Sequence, residues 1–294
     1  MTDTAVATGL VDANGVQLAY ESFGHPADPT ILLVMGLGTQ LLAWPEVLCR
    51  DLADAGHHVI RFDNRDVGLS TKFDGPVPTI AQMVTRRGTA YTITDMADDA
   101  FGLLAGLGID AAHVVGASMG GFIAQTMAIR QPTRVLSLTL VMTSTGSRRV
   151  GRPSPAAMRQ LATLPAARSR DAAIASALRV SAVIGSPAYR DPERVRDLAG
   201  RSYDRAHHPA GRARHLAAVL AQPDRTRRLA SVRVPTTVVH GLEDTLVSPT
   251  GGIALARAIP GATFVGHHGM GHDLPMPLLG GFTEDILGTV ARAG

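Results

Sequence analysis

An α/β fold built on a parallel sheet is what this sequence predicts, on three observations. Short apolar and β-branched runs alternate with stretches of helical periodicity. One of those runs passes through a glycine-flanked turn straight into a helix, and an arginine-rich segment of different character interrupts the alternation.

The strands are predicted at residues 16–20, 31–35, 58–62, 113–115, 135–142, 236–240 and 262–265, each bounded by turn residues or a helical stretch. Between them, Trp44, Val47, Leu48 and Leu52 recur at spacings of three and four, which predicts a helix over 44–55 ending at Gly56. Met96, Ala100, Leu103, Leu104 and Leu107 predict a second helix over 94–107, with Thr94 or Asp95 as its cap. Further helices are predicted over 121–130, 252–258 and 282–292.

Residues 147–233 differ. They hold 18 arginines against 6 acidic residues, whereas the rest of the chain holds 10 basic and 19 acidic residues. Several short helices are expected there, broken by Pro153, Pro155, Pro165, Pro187, Pro192, Pro209 and Pro223. The division is therefore a core of residues 1–146 and 234–294 with a helical lid inserted at 147–233. Because the chain has 27 arginines and one lysine, genome composition and solvated helix faces account for the basic lid. A preference for anionic substrates is the competing account.

Composition sets further bounds. The 294 residues can bury a large core, and 45% hydrophobic against 18% charged leaves no room for long disorder. The N-terminus lacks a basic region followed by an apolar run, and no stretch approaches the ~18 uninterrupted apolar residues of a membrane span. A cytoplasmic protein, without membrane or nucleic-acid partners, is expected. Cys49, the only cysteine, cannot form an internal disulfide, and it lacks the neighbours of a reactive thiol. No phosphate-binding glycine loop with G-K-[ST] occurs, and the adjacent pairs His207-His208 and His267-His268 lack zinc-ligand spacing. No metal site is expected.

The chemistry concentrates in Gly116-Ala117-Ser118-Met119-Gly120, which fits G-x-S-x-G between a strand and a helix. Such a turn lifts a serine hydroxyl clear of the sheet. The hydroxyl needs a base to become a nucleophile, and histidine has the suitable pKa. With the order serine, acid, histidine, His272 in Gly269-Met270-Gly271-His272 is favoured over His267 and His268. The acid that holds the imidazole should end a strand between them. Asp244, in His240-Gly241-Leu242-Glu243-Asp244, does so, and no acid follows the strand ending at Met142. Two backbone N–H groups should bind the developing oxyanion: Met119, after the nucleophile, and Leu37, in the Met35-Gly36-Leu37-Gly38 loop. Trp44 and Met142 are expected to line the substrate pocket. The charged stretch Asp63 to Ser70 reads as salt bridges and turns, since it precedes the nucleophile.

Taken together and in order, the Met35–Gly38 loop, the F-D-N-R-D-x-G-x-S stretch, the V-V-G-A-S-M-G-G elbow, Gly241–Asp244 and Gly269–His272 make the chain resemble the α/β-hydrolase superfamily. Within it the chain is similar to the aclacinomycin methylesterase-like actinobacterial esterases. The superfamily commonly carries histidine before the oxyanion glycine, where this chain has Met35; a backbone donor survives that change.

The resemblance implies an eight-stranded, mostly parallel sheet flanked by helices, an inserted helical lid, no cofactor, and hydrolysis of small-molecule esters through an acyl-enzyme. A monomer or homodimer is expected. The same triad could cleave C–C or amide bonds or carry out perhydrolysis, and a small-ligand-binding protein of the same fold is the non-enzymatic alternative.

Overall fold

The computed structural model describes residues 6–85, 88–162 and 167–294; Pro165, read above as a helix breaker, lies outside them. Eight strands form one sheet: β1 Ala7–Ala13, β2 Val16–Phe23, β3 Thr30–Val34, β4 His58–Phe62, β5 Ala112–Ala117, β6 Val135–Val141, β7 Thr236–Gly241 and β8 Thr263–His267. Their order is β1-β2-β4-β3-β5-β6-β7-β8. β2 pairs antiparallel with β1 and β4, and every later pairing is parallel.

β1 is the strand that periodicity misses. It is an edge strand with mostly exposed residues, so its apolar alternation is weak. Its signal lies instead in the turn that follows, Asn14-Gly15, where both residues have positive φ (50° and 77°), as a tight hairpin requires.

The central strands are buried on both faces, and alternate residues serve opposite core layers. Leu32 and Val34 face a layer built with α3 (Ile93–Gly106) and α4 (Met119–Arg130), which contributes Met96, Leu103, Ile123 and Met127. Ile31 and Leu33 face a layer built with α1 (Glu46–Asp54) and α11 (Leu279–Val290), which contributes Leu48, Leu52, Phe282 and Ile286. Cys49 lies in this second layer, and burial pushes its thiol up to about 12, which suits an inert structural role.

α3 begins one residue earlier than periodicity predicts. Its cap is Thr92, whose hydroxyl accepts from the Asp95 N–H while the Asp95 carboxylate accepts from the Thr92 N–H. α2 (Ile80–Thr85) is a short helix between β4 and α3, and α10 (Thr250–Ala258) joins β7 to β8.

The described residues between β6 and β7 form five helices: α5 Pro155–Ala162, α6 Arg170–Ile184, α7 Pro192–Arg205, α8 Pro209–Ala221 and α9 Thr226–Leu229. Pro155, Pro192 and Pro209 stand at helix starts, where the missing N–H costs nothing, so they begin helices instead of breaking them. Among the described residues no helix is long and apolar enough to cross a membrane.

The charged stretch after β4 fastens this helical segment to the sheet. Asp63 is fully buried and accepts from the Leu41 N–H (2.8 Å), the Leu69 N–H (2.8 Å) and Arg205 of α7 (2.6 Å). Asp66 receives a two-pronged ion pair from Arg214 of α8 (2.5 and 3.0 Å), with the Tyr91 hydroxyl at 2.8 Å and the Phe73 N–H at 3.0 Å. The structural reading of this stretch therefore holds.

A pH dependence follows from Asp66. Burial by itself would raise its carboxyl, but the hydrogen bonds from Arg214, Phe73 and Tyr91 outweigh burial and hold it at about 2. An ordinary aspartate titrates near ~3.9, so the stabilisation is fully present above that value and is lost as pH falls from about 4 towards 2. Chemical unfolding at pH 7, 4, 3 and 2 is expected to show this loss. Asp66→Asn should be less stable at pH 7 and show a shallower decline across the same range; an unaltered decline would contradict the assignment.

Candidate active site

β3 and β5 are neighbours in the sheet, yet the helices that follow them pack on opposite faces, α1 in one core layer and α4 in the other. The chain therefore parts at the C-terminal ends of these two strands. In open α/β sheets that is where ligands bind.

Ser118 occupies this point. It joins β5 to α4 with φ 54° and ψ −116°, a conformation rarely adopted by residues with a side chain, which costs roughly 1–3 kcal/mol. The surroundings hold it there. A side chain at Gly120 would collide with the Val34 carbonyl, and one at Gly116 with the Gly120 backbone, so only glycine lets strand and helix close this tightly. The Ser118 N–H donates to the Val141 carbonyl (2.9 Å), and its own carbonyl accepts from Gly121 N–H (3.0 Å) and the Thr143 hydroxyl (2.8 Å).

The three residues chosen from sequence meet. The Ser118 hydroxyl donates to His272 Nε2 (3.0 Å), and His272 Nδ1–H donates to Asp244 Oδ2 (2.7 Å). The carboxylate can only accept, so it fixes the tautomer and leaves Nε2 free to take a proton. The other Asp244 oxygen accepts from the Leu246 (2.8 Å) and Val247 (2.9 Å) N–H groups of the turn after β7. Asp244 is thereby buried and immobilised. Glu243 faces elsewhere, accepting from Gly269 N–H (2.7 Å), which separates the two adjacent acids. His267 pairs with Asp285 (3.2 Å), and His268 is exposed.

The Met35–Gly38 loop lies against the elbow: a Cβ at Gly36 would stand 3.2 Å from that of Ser118. Met119 opens α4, so its N–H is a first-turn donor without an intrahelical acceptor, and Leu37 lies between the two glycines of the facing loop. Trp44 and Met142 both belong to the core layer of α1 and α11 and expose 1% and 5% of their surface.

Sequence reasoning missed the groups that brace these parts. The Asn64 amide donates to the Met35 carbonyl (2.9 Å). His215 of α8 accepts from the Gly38 N–H at Nδ1 (3.1 Å) and donates from Nε2 to the Arg65 carbonyl (2.8 Å). Burial lowers its pKa to about 4, so the ring stays neutral and can do both. Behind Asp244, His240 Nε2–H donates to the Val247 carbonyl (2.8 Å) and lies 3.6 Å from the carboxylate; burial lowers its pKa too. The His272 N–H donates to the Ile184 carbonyl at the end of α6 (2.7 Å), and Asp273 accepts from the Ser186 N–H (3.0 Å). Asn64 lay inside a noted motif, but His215, Ile184 and Ser186 sit in the arginine-rich segment, where no local pattern marks them.

A strained serine at the switch point, hydrogen-bonded through histidine to a buried aspartate, has the form of a hydrolase site of the α/β type. The family model described as "alpha/beta hydrolase fold" matches residues 29–276, and the chain belongs to that family. It is 29% identical to the rhodomycin D methylesterases DauP of Streptomyces sp. (strain C5) and DnrP of Streptomyces peucetius, covering 92% of this chain and 93% of each relative. Among solved structures it is similar to the enol-lactonase from Burkholderia xenovorans LB400, with a TM-score of 0.75 and 26% identity over 96% of this chain and 100% of that one. A thermophilic esterase from Thermogutta terrifontis is similar with a TM-score of 0.74 and 25% identity, over 98% and 99% of the two chains. By class, then, the chain is an α/β-hydrolase, and the relatives it resembles along its length are named as ester and lactone hydrolases.

Proposed function

We propose that the chain is a serine esterase that hydrolyses small to medium carboxylic esters through an acyl-enzyme. The single observation that carries this reading is the position of His272, 3.0 Å from the Ser118 hydroxyl and 2.7 Å from Asp244. Ser118 Oγ attacks the ester carbonyl while His272 Nε2 takes its proton, and Asp244 stabilises the resulting imidazolium. The carbonyl oxygen becomes an oxyanion held by the Leu37 and Met119 N–H groups. Collapse breaks the bond to the alcohol, which leaves with the proton from His272. Water, deprotonated by His272, then attacks the acyl carbonyl; release of the acid returns the proton to Ser118.

Residues 147–233 serve as a cap over the site. Their base is fixed by Arg205 and Arg214 on Asp63 and Asp66, and the end of α6 holds the backbone of His272. Cap and catalytic histidine are thus coupled, and changes in α6 should alter turnover as well as binding. The similarity to methylesterases supports esters with a small alcohol portion.

Hydrolysis of p-nitrophenyl esters from acetate to decanoate tests the reading. Turnover should be measurable and should pass through an optimum in chain length set by the pocket. A folded protein inert on the whole series and on methyl esters would contradict it.

A further inference from the structure

The non-exposed arginines among the described residues are all partnered except one. Arg61 binds Glu21, Arg65 binds Asp99, Arg205 binds Asp63 and Arg214 binds Asp66. Arg134, Arg194 and Arg225 donate to backbone or neutral side-chain oxygens. Arg212 has no acceptor among the described residues, although it is partly buried, and burial alone lowers its pKa with no carboxylate to offset it. No carboxylate stands beside this partly buried guanidinium, so its five donors remain free for water or for an incoming anion.

Its place is informative. Arg212 sits on α8 two residues before Arg214, and its stem lies across the loop that faces the nucleophile. A Cβ at Gly38 would stand 3.0 Å from Arg212 Cβ and 2.7 Å from its Cγ. The same loop touches Ser118 at Gly36. The Gly36–Gly38 loop thus lies against the Arg212 stem at one glycine and against the serine at the other. Arg214 and His215 anchor α8 from either side, through Asp66 and through the Gly38 N–H, so the helix holds Arg212 in register with that loop.

We propose that Arg212 is a specificity-determining residue that binds a carboxylate on the substrate, so that the preferred esters are anionic half-esters. The proposal rests on the esterase reading above and narrows its substrate class. A planar guanidinium matches a carboxylate with two parallel hydrogen bonds, and in a partly dehydrated site such a pair is stronger than at the surface. The remaining arginines of the cap on the surface, such as Arg179 and Arg196, are solvated, as their exposure shows.

The test compares kcat/KM for monomethyl adipate and methyl hexanoate, which match in length and differ in charge, at low ionic strength. The native protein should prefer the half-ester by at least about tenfold, Arg212→Lys should keep part of the preference, and Arg212→Gln should bring the ratio close to one. In parallel, adipate is titrated into Ser118→Ala protein with and without Arg212→Gln, and affinity should fall at least about tenfold in the double variant. Loss of activity on both esters in equal proportion, or an adipate affinity unchanged by Arg212→Gln, would overturn the proposal. The titration needs no turnover, so failure of the triad chemistry would leave the binding difference intact and readable.

Discussion

Replacement of Ser118 by alanine is expected to lower kcat on every ester the protein hydrolyses by about 10⁴–10⁶-fold, with little change in thermal unfolding. The size follows from the proposed mechanism: without Oγ no acyl-enzyme would form, and only the proposed oxyanion donors and substrate binding would remain to assist water. Stability should hold because the elbow is fixed by Gly116, Gly120 and the Val141 and Thr143 contacts, which use backbone atoms of residue 118 and not its hydroxyl. Steady-state rates and a melting curve on the same preparation check both halves. A variant that retains a tenth of native activity would remove Ser118 from the mechanism.

The second large effect distinguishes two adjacent acids. Asp244→Asn should lower kcat by about 10⁴-fold, because an amide facing Nδ1 no longer selects the tautomer that leaves Nε2 as the base. The Leu246 and Val247 N–H groups would still find an oxygen, so the turn after β7 should survive the change. Glu243→Gln should alter kcat by no more than a few-fold, since that side chain accepts from Gly269 and does not approach the imidazole. Parallel kinetics on the two variants decide the matter. A Glu243 variant more impaired than the Asp244 variant would place the wrong acid in the triad.

Much of this was legible because local physics and global fold agree at the residues concerned. The buried strands β3 to β7 are too apolar to be anything but central, and the elbow glycines are demanded by backbone that would stand 2.0 and 2.4 Å from a Cβ, closer than Cβ atoms approach other atoms. Ser118, Asp244 and His272 could be chosen from the elbow motif, the strand ends and the chain order together, since each follows a strand at its turn. Edges were harder: β1 earns little from burial, and only Asn14-Gly15 betrays it. Hardest were the braces. His215 meets Gly38 across 177 residues, and the Ser186–Asp273 contact spans 87, so nothing in the neighbouring sequence encodes either partner. Prolines in residues 147–233 marked the breaks between short helices, but not which of them would open a helix, because a proline between helices and one at a helix start look alike until the boundary is known.

Covalent labelling with a fluorophosphonate tests whether Ser118 is an activated nucleophile without knowledge of the natural ester. One adduct per chain is expected, mapped by peptide mass to Ser118, strongly slowed in His272→Ala and absent in Ser118→Ala. Labelling at another serine, or no labelling of folded native protein, would contradict it.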